Sequence, residues 1–238
     1  MTAPKMGLLE DWLESAPSRP GELARPLVTL SYAQSLDGSI ALRRGQPLAL
    51  SGAESLKLTH RLRALHDVVL VGIGTILADD PQLNVRLAPG KDPDVVILDS
   101  RLRLPSKARV NQDKGSPRVF CTALAEASAK KTLEAAGLQV ERQDSNRTDR
   151  VDLRPMLARL HALGVNSLMV EGGGQIISSF LADGLVDKAV IILAPRYVGG
   201  YKAVDVPLEI RARLPGLQAM QFAPYGQDLV VWGNLEGA

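Results

Sequence analysis

Short apolar runs, broken by glycine, proline or aspartate, alternate along this chain with stretches whose apolar residues recur at helical spacing. The β-branched run at 26–33 reads as a strand that enters a turn at Asp37-Gly38 and resumes through Ser39, Ile40 and Ala41. Runs at 67–71, 95–98, 118–121, 138–142, 168–170, 188–194 and 228–232 read as further strands. Between them lie predicted helices. One starts at Ser51, where Ser51 as cap and Glu54 three residues on form a capping box, with Leu58, Leu62 and Leu65 along one face. An alanine-rich helix ends at Gly137, and Asp152 caps another that tolerates Pro155 in its first turn and closes at Gly164. This alternation predicts an α/β fold with a mostly parallel central sheet covered by helices on both faces. The late strands without intervening helices predict an antiparallel edge. Leu8, Leu9, Trp12 and Leu13 predict an amphipathic turn or two, and Pro17, Pro20 and Pro26 mark linker. Residues 1–25 therefore read as an extension and 26–238 as the domain.

The stretch with most chemical content is 167–185, SLMVEGGGQIISSFLADGL. A strand stops at Glu171, three glycines follow (Gly172, Gly173, Gly174), and a helix resumes with Ile176, Ile177, Phe180 and Leu181 on one face. Gly184 is placed to end that helix. Such a helix start leaves backbone N–H groups unpaired, with no side chain in front of them, and binds an anion, most often a phosphate. The alternative is a tight turn that uses glycine only for its backbone angles. A second strand end carries Gly72-Ile73-Gly74-Thr75, too short of glycine for a dinucleotide fingerprint because Leu77 stands at the third position. Asp79 and Asp80 follow one helical turn later, as either chemistry or a solvated turn before Pro81. A third strand end carries Asp99-Ser100-Arg101. In open sheets of this kind ligands bind at the carboxyl ends of the strands, so these three ends converge on one predicted site.

Composition narrows the classes. With 238 residues, 45% hydrophobic and 23% charged, the chain is long enough to bury a sizeable core. A net charge of +2, without a dense basic patch, argues against nucleic acid as partner. One cysteine, Cys121, leaves no internal disulfide and reads as a buried thiol in a strand. His60, His66 and His161 have no metal-ligand spacing, so no metal site is expected. No run approaches the length of a membrane span, and the N-terminus lacks a signal-peptide pattern. A cytoplasmic protein without a membrane partner is the expectation.

The pieces SLDGSIA, HRLRALHDVVLVGIGTILADDPQLNVRL, VVILDSRLRLP, SLMVEGGGQIISSFLADGLVD and LAPRYVGG, in this order, closely resemble the reductase domain of riboflavin biosynthesis. That domain is the C-terminal half of the bacterial bifunctional deaminase-reductase and a stand-alone enzyme in archaea and fungi. The resemblance covers about residues 26–235. It implies a dihydrofolate-reductase-like fold, NADPH as cofactor and a homodimer. The implied reaction reduces the ribosylamino group of a phosphorylated pyrimidine to ribitylamino. The chain has neither the H-x-E nor the C-x-x-C of a zinc deaminase, so the resemblance implies that deamination belongs to a different protein.

Carried over by position, the resemblance assigns Asp79 and Glu171 as catalytic carboxylates, with Glu171 also touching substrate. It assigns Gly172, Gly173, Gly174, Gln175 and Ile176 to the cofactor diphosphate. Ala33, Gly72, Gly74, Thr75 and Asp79 fall to the nicotinamide side, and Ser100, with Arg101, to the adenosine 2′-phosphate. Ser51, Arg63, Leu83 and Arg86 fall to the substrate, where a guanidinium fork suits a sugar phosphate. The chain departs from the bifunctional enzymes at Ser31, where they commonly carry lysine, and at Pro47-Leu48-Ala49, where they carry Ser-x-Trp. The substrate therefore stays open between the diamino pyrimidine, its deaminated form and a related small molecule. A same-fold reductase of pterins or folates and a non-catalytic nucleotide-binding module are the alternative readings.

Overall fold

The computed structural model describes residues 8–14, 24–111, 116–146, 148–204 and 214–235. In chain order its elements are α1 (Leu8–Glu14), β1 (Leu27–Ser35), β2 (Ser39–Ala41), α2 (Ala53–Ala64), β3 (Val68–Gly72), α3 (Ile73–Asp79) and β4 (Asp94–Leu98). There follow β5 (Arg118–Cys121), α4 (Ala127–Ala135), β6 (Gln139–Arg142), α5 (Leu153–Ala162), β7 (Ser167–Val170) and α6 (Gly174–Ala182). The last strands are β8 (Lys188–Ala194), β9 (Tyr201–Lys202), β10 (Leu217–Tyr225) and β11 (Asp228–Leu235). Among the described residues one nine-stranded sheet runs in the order β10-β11-β8-β1-β7-β3-β4-β5-β6, and β2 pairs with β9 apart from it. From β8 to β6 every pairing is parallel; β11 and β10 add the antiparallel edge.

Burial on both faces explains why the central strands are continuous apolar runs. In β3, Val69 and Val71 join the core under α2 and α3, with Leu58, Leu62, Ile73 and Ile76. Val68 and Leu70 point the other way, into the core under α5 and α6, with Met156, Leu160, Ile177 and Phe180. Each of these buried side chains contributes about 1.5–3 kcal/mol. The cysteine is a buried core thiol, as its run suggests, and burial pushes it up in pKa. His66 is likewise internal, with its ring nitrogens on Leu62 O and Thr29 Oγ1. Asp152 caps α5 by accepting the Arg154 N–H, and the positive φ of Gly137, Gly164 and Gly184 lets the chain leave three helices.

The N-terminal turn is a helix packed on this body. Leu9 is fully buried, and the Trp12 ring lies 4.9 Å from the Lys188 ammonium, which donates to Leu13 O. Among the described residues no helix is long and apolar enough to cross a membrane.

One local expectation is overturned. Ser51 does not cap α2 and no capping box forms, because the helix begins at Ala53 with Gly52 as N-cap and no local side-chain acceptor. The acceptor comes from the far end of the chain. Asp228, at the start of β11, takes the Gly52 N–H at 2.7 Å and the Ser55 hydroxyl. A distant carboxylate thus satisfies an amide at the positive end of the helix dipole, while Glu54 pairs with Lys57 on the exposed face. The strand β10 has no counterpart among the predicted elements. Most of its residues face solvent and its register shifts between Gln218 and Gln221, so it lacks a strand's alternation.

The cap assignment predicts opposite outcomes for two substitutions. Asp228→Ala should cost about 1–3 kcal/mol in urea unfolding, the range for a lost cap that leaves a buried donor unpaired. Ser51→Ala should stay within about 0.5 kcal/mol. Equal losses would restore Ser51 as the cap.

Candidate active site

The parallel strands all deliver their carboxyl ends to the same edge of the sheet, and a groove of about 1230 Å³ opens there. Its floor is made of strand ends in sheet order: Leu98 ending β4 with Ser100 beyond it, Gly72 ending β3, Glu171 after β7, Ser31 to Ala33 in β1, and Ile192 in β8. Ala33, Ser51, Gly72, Gly74, Thr75, Asp79, Ser100, Arg101, Glu171, Gly172, Gly173, Gly174, Gln175 and Ile176 all line it. The three strand ends singled out by sequence therefore share one groove.

At its centre α6 starts with Gly173 as N-cap and no side-chain cap. The helix ladder begins with the Ile176 N–H on Gly173 O, so the amides of Gly174 and Gln175 come ahead of it. Glycine is required here by space as well as conformation. A Cβ on Gly172 would meet the Ile176 side chain at 2.8 Å, and one on Gly72 would meet it at 2.7 Å. These glycines let β3, β7 and α6 crowd together beneath the groove. The result is an anion-binding helix start opening into a cavity.

Two carboxylates flank it. Glu171 follows β7 and is held in a fork by Arg63, Nε to Oε1 at 2.6 Å and Nη2 to Oε2 at 2.7 Å. Asp79 ends α3, and partial burial pushes its carboxyl above the usual range. The neighbouring Asp80 is structural: it adopts the left-handed cap of α3, and its Oδ1 accepts the Arg109 N–H. Of the acidic pair, Asp79 is the one facing the groove.

Three of the residues expected at the substrate do not line the groove. Arg63 is nearly buried, and besides gripping Glu171 it donates to Asn84 O at 3.0 Å. Its fork is occupied by protein. Leu83 is buried in the loop after α3, beside a separate cavity of about 220 Å³. In the same loop Arg86 donates from its backbone to His60 Nδ1 and from its side chain to Asn84 Oδ1. The His60 ring is therefore a packing group, which burial holds below its ordinary pKa.

Other groove residues escaped the sequence reading. Arg103 and Arg150 join Ser100 and Arg101 at the β4 end, where Val151 donates to Ser100 Oγ. Arg150 grips the Gln175 amide oxygen at 2.6 and 3.1 Å, in the amide orientation that satisfies both groups. Asp99, the acid beside them, is fully buried; its Oδ2 accepts the Leu104 N–H, and its Oδ1 lies 3.9 Å from Arg103 Nε. Arg44, Thr59 and Tyr32 also line the groove, and burial pushes the Tyr32 phenol up to about 12. Arg44 stands in the loop Arg43-Arg44-Gly45, where paired arginines were the available signal. Among the described residues no group of His, Cys, Asp and Glu is arranged to hold a metal ion.

Comparison with known proteins agrees with the geometry. The profile of the family described as the RibD C-terminal domain matches residues 26–231. The chain is 37% identical over 227 residues to a protein of Methanothermobacter thermautotrophicus named 2,5-diamino-6-ribosylamino-4(3H)-pyrimidinone 5′-phosphate reductase; the match covers 90% of this chain and 100% of that one. Among solved structures it is similar to Acinetobacter baumannii RibD, with a TM-score of 0.77 and 26% identity, covering 89% of this chain and 58% of that one. Dihydrofolate reductase from Enterococcus faecalis, at 13% identity and a TM-score of 0.51 over 87% of this chain and 96% of its own, shares the fold.

The buried fork predicts a test of its own. Glu171→Ala leaves the Arg63 cation unpaired and should cost about 3–5 kcal/mol in chemical unfolding. Replacing both, Arg63→Met with Glu171→Leu, should recover most of that loss. A single variant no less stable than the double would contradict the pairing.

Proposed function

The chain belongs to the RibD C-terminal domain family, and from that premise we propose that it reduces the ribosylamino group of 2,5-diamino-6-ribosylamino-4(3H)-pyrimidinone 5′-phosphate, with NADPH as reductant. The observation that carries this is one groove lined by an uncapped, glycine-built helix start and two carboxylates of different character. The diamino substrate is favoured by the M. thermautotrophicus relative, which this chain matches over its whole length.

The residues fit a nicotinamide dinucleotide. In this reading the amides of Gly173, Gly174 and Gln175 hold the diphosphate, as bare helix starts do. Ser100, Arg101, Arg103 and Arg150 hold a phosphate on the adenosine ribose, because guanidinium groups pair with phosphate in charge-assisted bonds. That cluster is the reason to name NADPH rather than NADH. When bound, the cofactor supplies the hydride.

The chain's own groups then orient and protonate. Asp79, with its raised pKa, serves as the acid that assists opening of the ribose ring and offsets charge at the carbon to be reduced. Glu171, immobilised by Arg63, accepts from the sugar without moving. Arg44, which also lines the groove, is the cation proposed for the substrate phosphate. Arg63 contributes by fixing Glu171, and Leu83 and Arg86 by supporting the loop beyond Asp79.

The unit proposed is residues 26–238, with the helix Leu8–Glu14 of the extension packed on it, in the cytoplasm and as a homodimer. Support for the dimer is the outer strand β10, whose Met220 and Phe222 are exposed. NADPH oxidation assayed with the diamino pyrimidinone phosphate, its deaminated form and dihydrofolate tests the substrate. The first should be turned over at the highest kcat/KM, and turnover of dihydrofolate alone would refute the proposal. Asp79→Asn should lower turnover about 10²-fold or more with little change in NADPH affinity. In the parent enzyme kcat should decline as pH rises through the raised Asp79 pKa, since the acid form is lost. Turnover of Asp79→Asn within about threefold of the parent would remove Asp79 from the chemistry. Arg150→Ala should weaken NADPH binding about tenfold and leave NADH binding unchanged, the size of one charge-assisted contact. Equal effects on both would remove the 2′-phosphate assignment.

A further inference from the structure

We propose that Asp37 is a positioning residue for the cofactor: it clamps the segment 198–202 onto the start of α6 and so builds the outer wall of the diphosphate cradle. This rests on the reading of Gly172, Gly173 and Gly174 as that cradle. Asp37 lies in the β1–β2 turn and does not itself line the groove.

Its carboxylate accepts from five donors. Ser35 Oγ at 2.6 Å and Ser39 Oγ at 2.7 Å are local, as in many aspartate turns. The other three come from distant chain: the Val198 and Gly199 N–H groups, each at 2.9 Å, and the Lys202 ammonium at 2.7 Å. A residue serving only its own turn has no use for those three. Lys202 also donates to Asp37 O and Ser39 Oγ, and the Gly200 N–H donates to Ser39 Oγ. Lys202 and the other donors hold the Asp37 carboxyl well below the usual range, so the clamp stays charged.

Close contact on both sides shows what the clamp carries. A Cβ on Gly200 would sit 2.1 Å from Ala41 O, so the segment is pressed against β2. A Cβ on Gly174, the first residue of α6, would meet Lys202 O at 2.6 Å, Tyr201 Oη at 2.9 Å and Ala203 O at 3.1 Å. Residues 201–203 are thus laid directly over the helix start, and Tyr201 lines the groove beside it. Without the carboxylate, the Val198 and Gly199 amides and the Lys202 ammonium lose their shared acceptor. The wall then loosens at the diphosphate.

The test is Asp37→Asn, with NADPH affinity read from energy transfer between protein and nicotinamide fluorescence, and with steady-state kinetics. The dissociation constant and KM for NADPH should rise about tenfold, the size of lost charge-assisted contacts. kcat at saturating NADPH and KM for the pyrimidine phosphate should shift less than about threefold, a split that general loss of structure does not produce. If Asp37→Asn shows no cooperative melting transition, Lys202→Met, which keeps the carboxylate and its other donors, is read in the same way. Unchanged NADPH affinity in a folded variant, or equal losses in both KM values and kcat, would overturn the clamp. Failure of the unsubstituted protein to bind NADPH would overturn the cradle reading itself.

Discussion

Backbone N–H groups at the start of a helix need an acceptor, and at α6 the chain provides no side chain for that role. The site follows from this constraint. Three consecutive glycines let the helix begin hard against β3 and β7, where Ile176 fills the space that side chains on Gly72 and Gly172 would occupy. The same crowding places the helix start at the carboxyl edge of a parallel sheet, and the neighbouring strands end in the groove with it. An anion is the natural complement to such an end. Everything else in the groove reads as fixing what is attached to that anion.

The two carboxylates divide their work through environment. Glu171 is gripped by a buried guanidinium, so its position is set before any ligand arrives. Asp79 has no such partner causing its shift; burial alone raises its pKa, which suits a group that carries a proton. Adjacent residue types are sorted in the same way. Asp80 and Asp99 turn to backbone amides, while Asp79, Ser100 and Arg101 face the cavity.

Much of this was legible in the chain because burial on both faces writes itself as apolar runs. β3, β4, β5, β7 and β8 could be read directly, and so could α5 with Asp152 as its cap. β10 could not, since its side chains mostly face solvent and its register is broken. Local grammar also misled at Ser51, where the acceptor for the α2 start is Asp228, far along the chain. Arg63 reads from sequence as a substrate-binding cation or a surface ion pair; only the fold brings Glu171 to it. Arg44, Arg103 and Arg150 stand in loops without periodicity, and Asp37 looks like any turn aspartate until the segment 198–202 is folded over it.

The most direct measurement is a crystal structure of the protein with NADPH. The diphosphate oxygens should lie within hydrogen-bond distance of the Gly174 and Gln175 amides, with the nicotinamide turned toward Asp79 and the adenosine ribose beside Ser100 and Arg150. A cofactor bound away from the glycine bend, or bound there with its nicotinamide at the Arg150 end, would contradict the account.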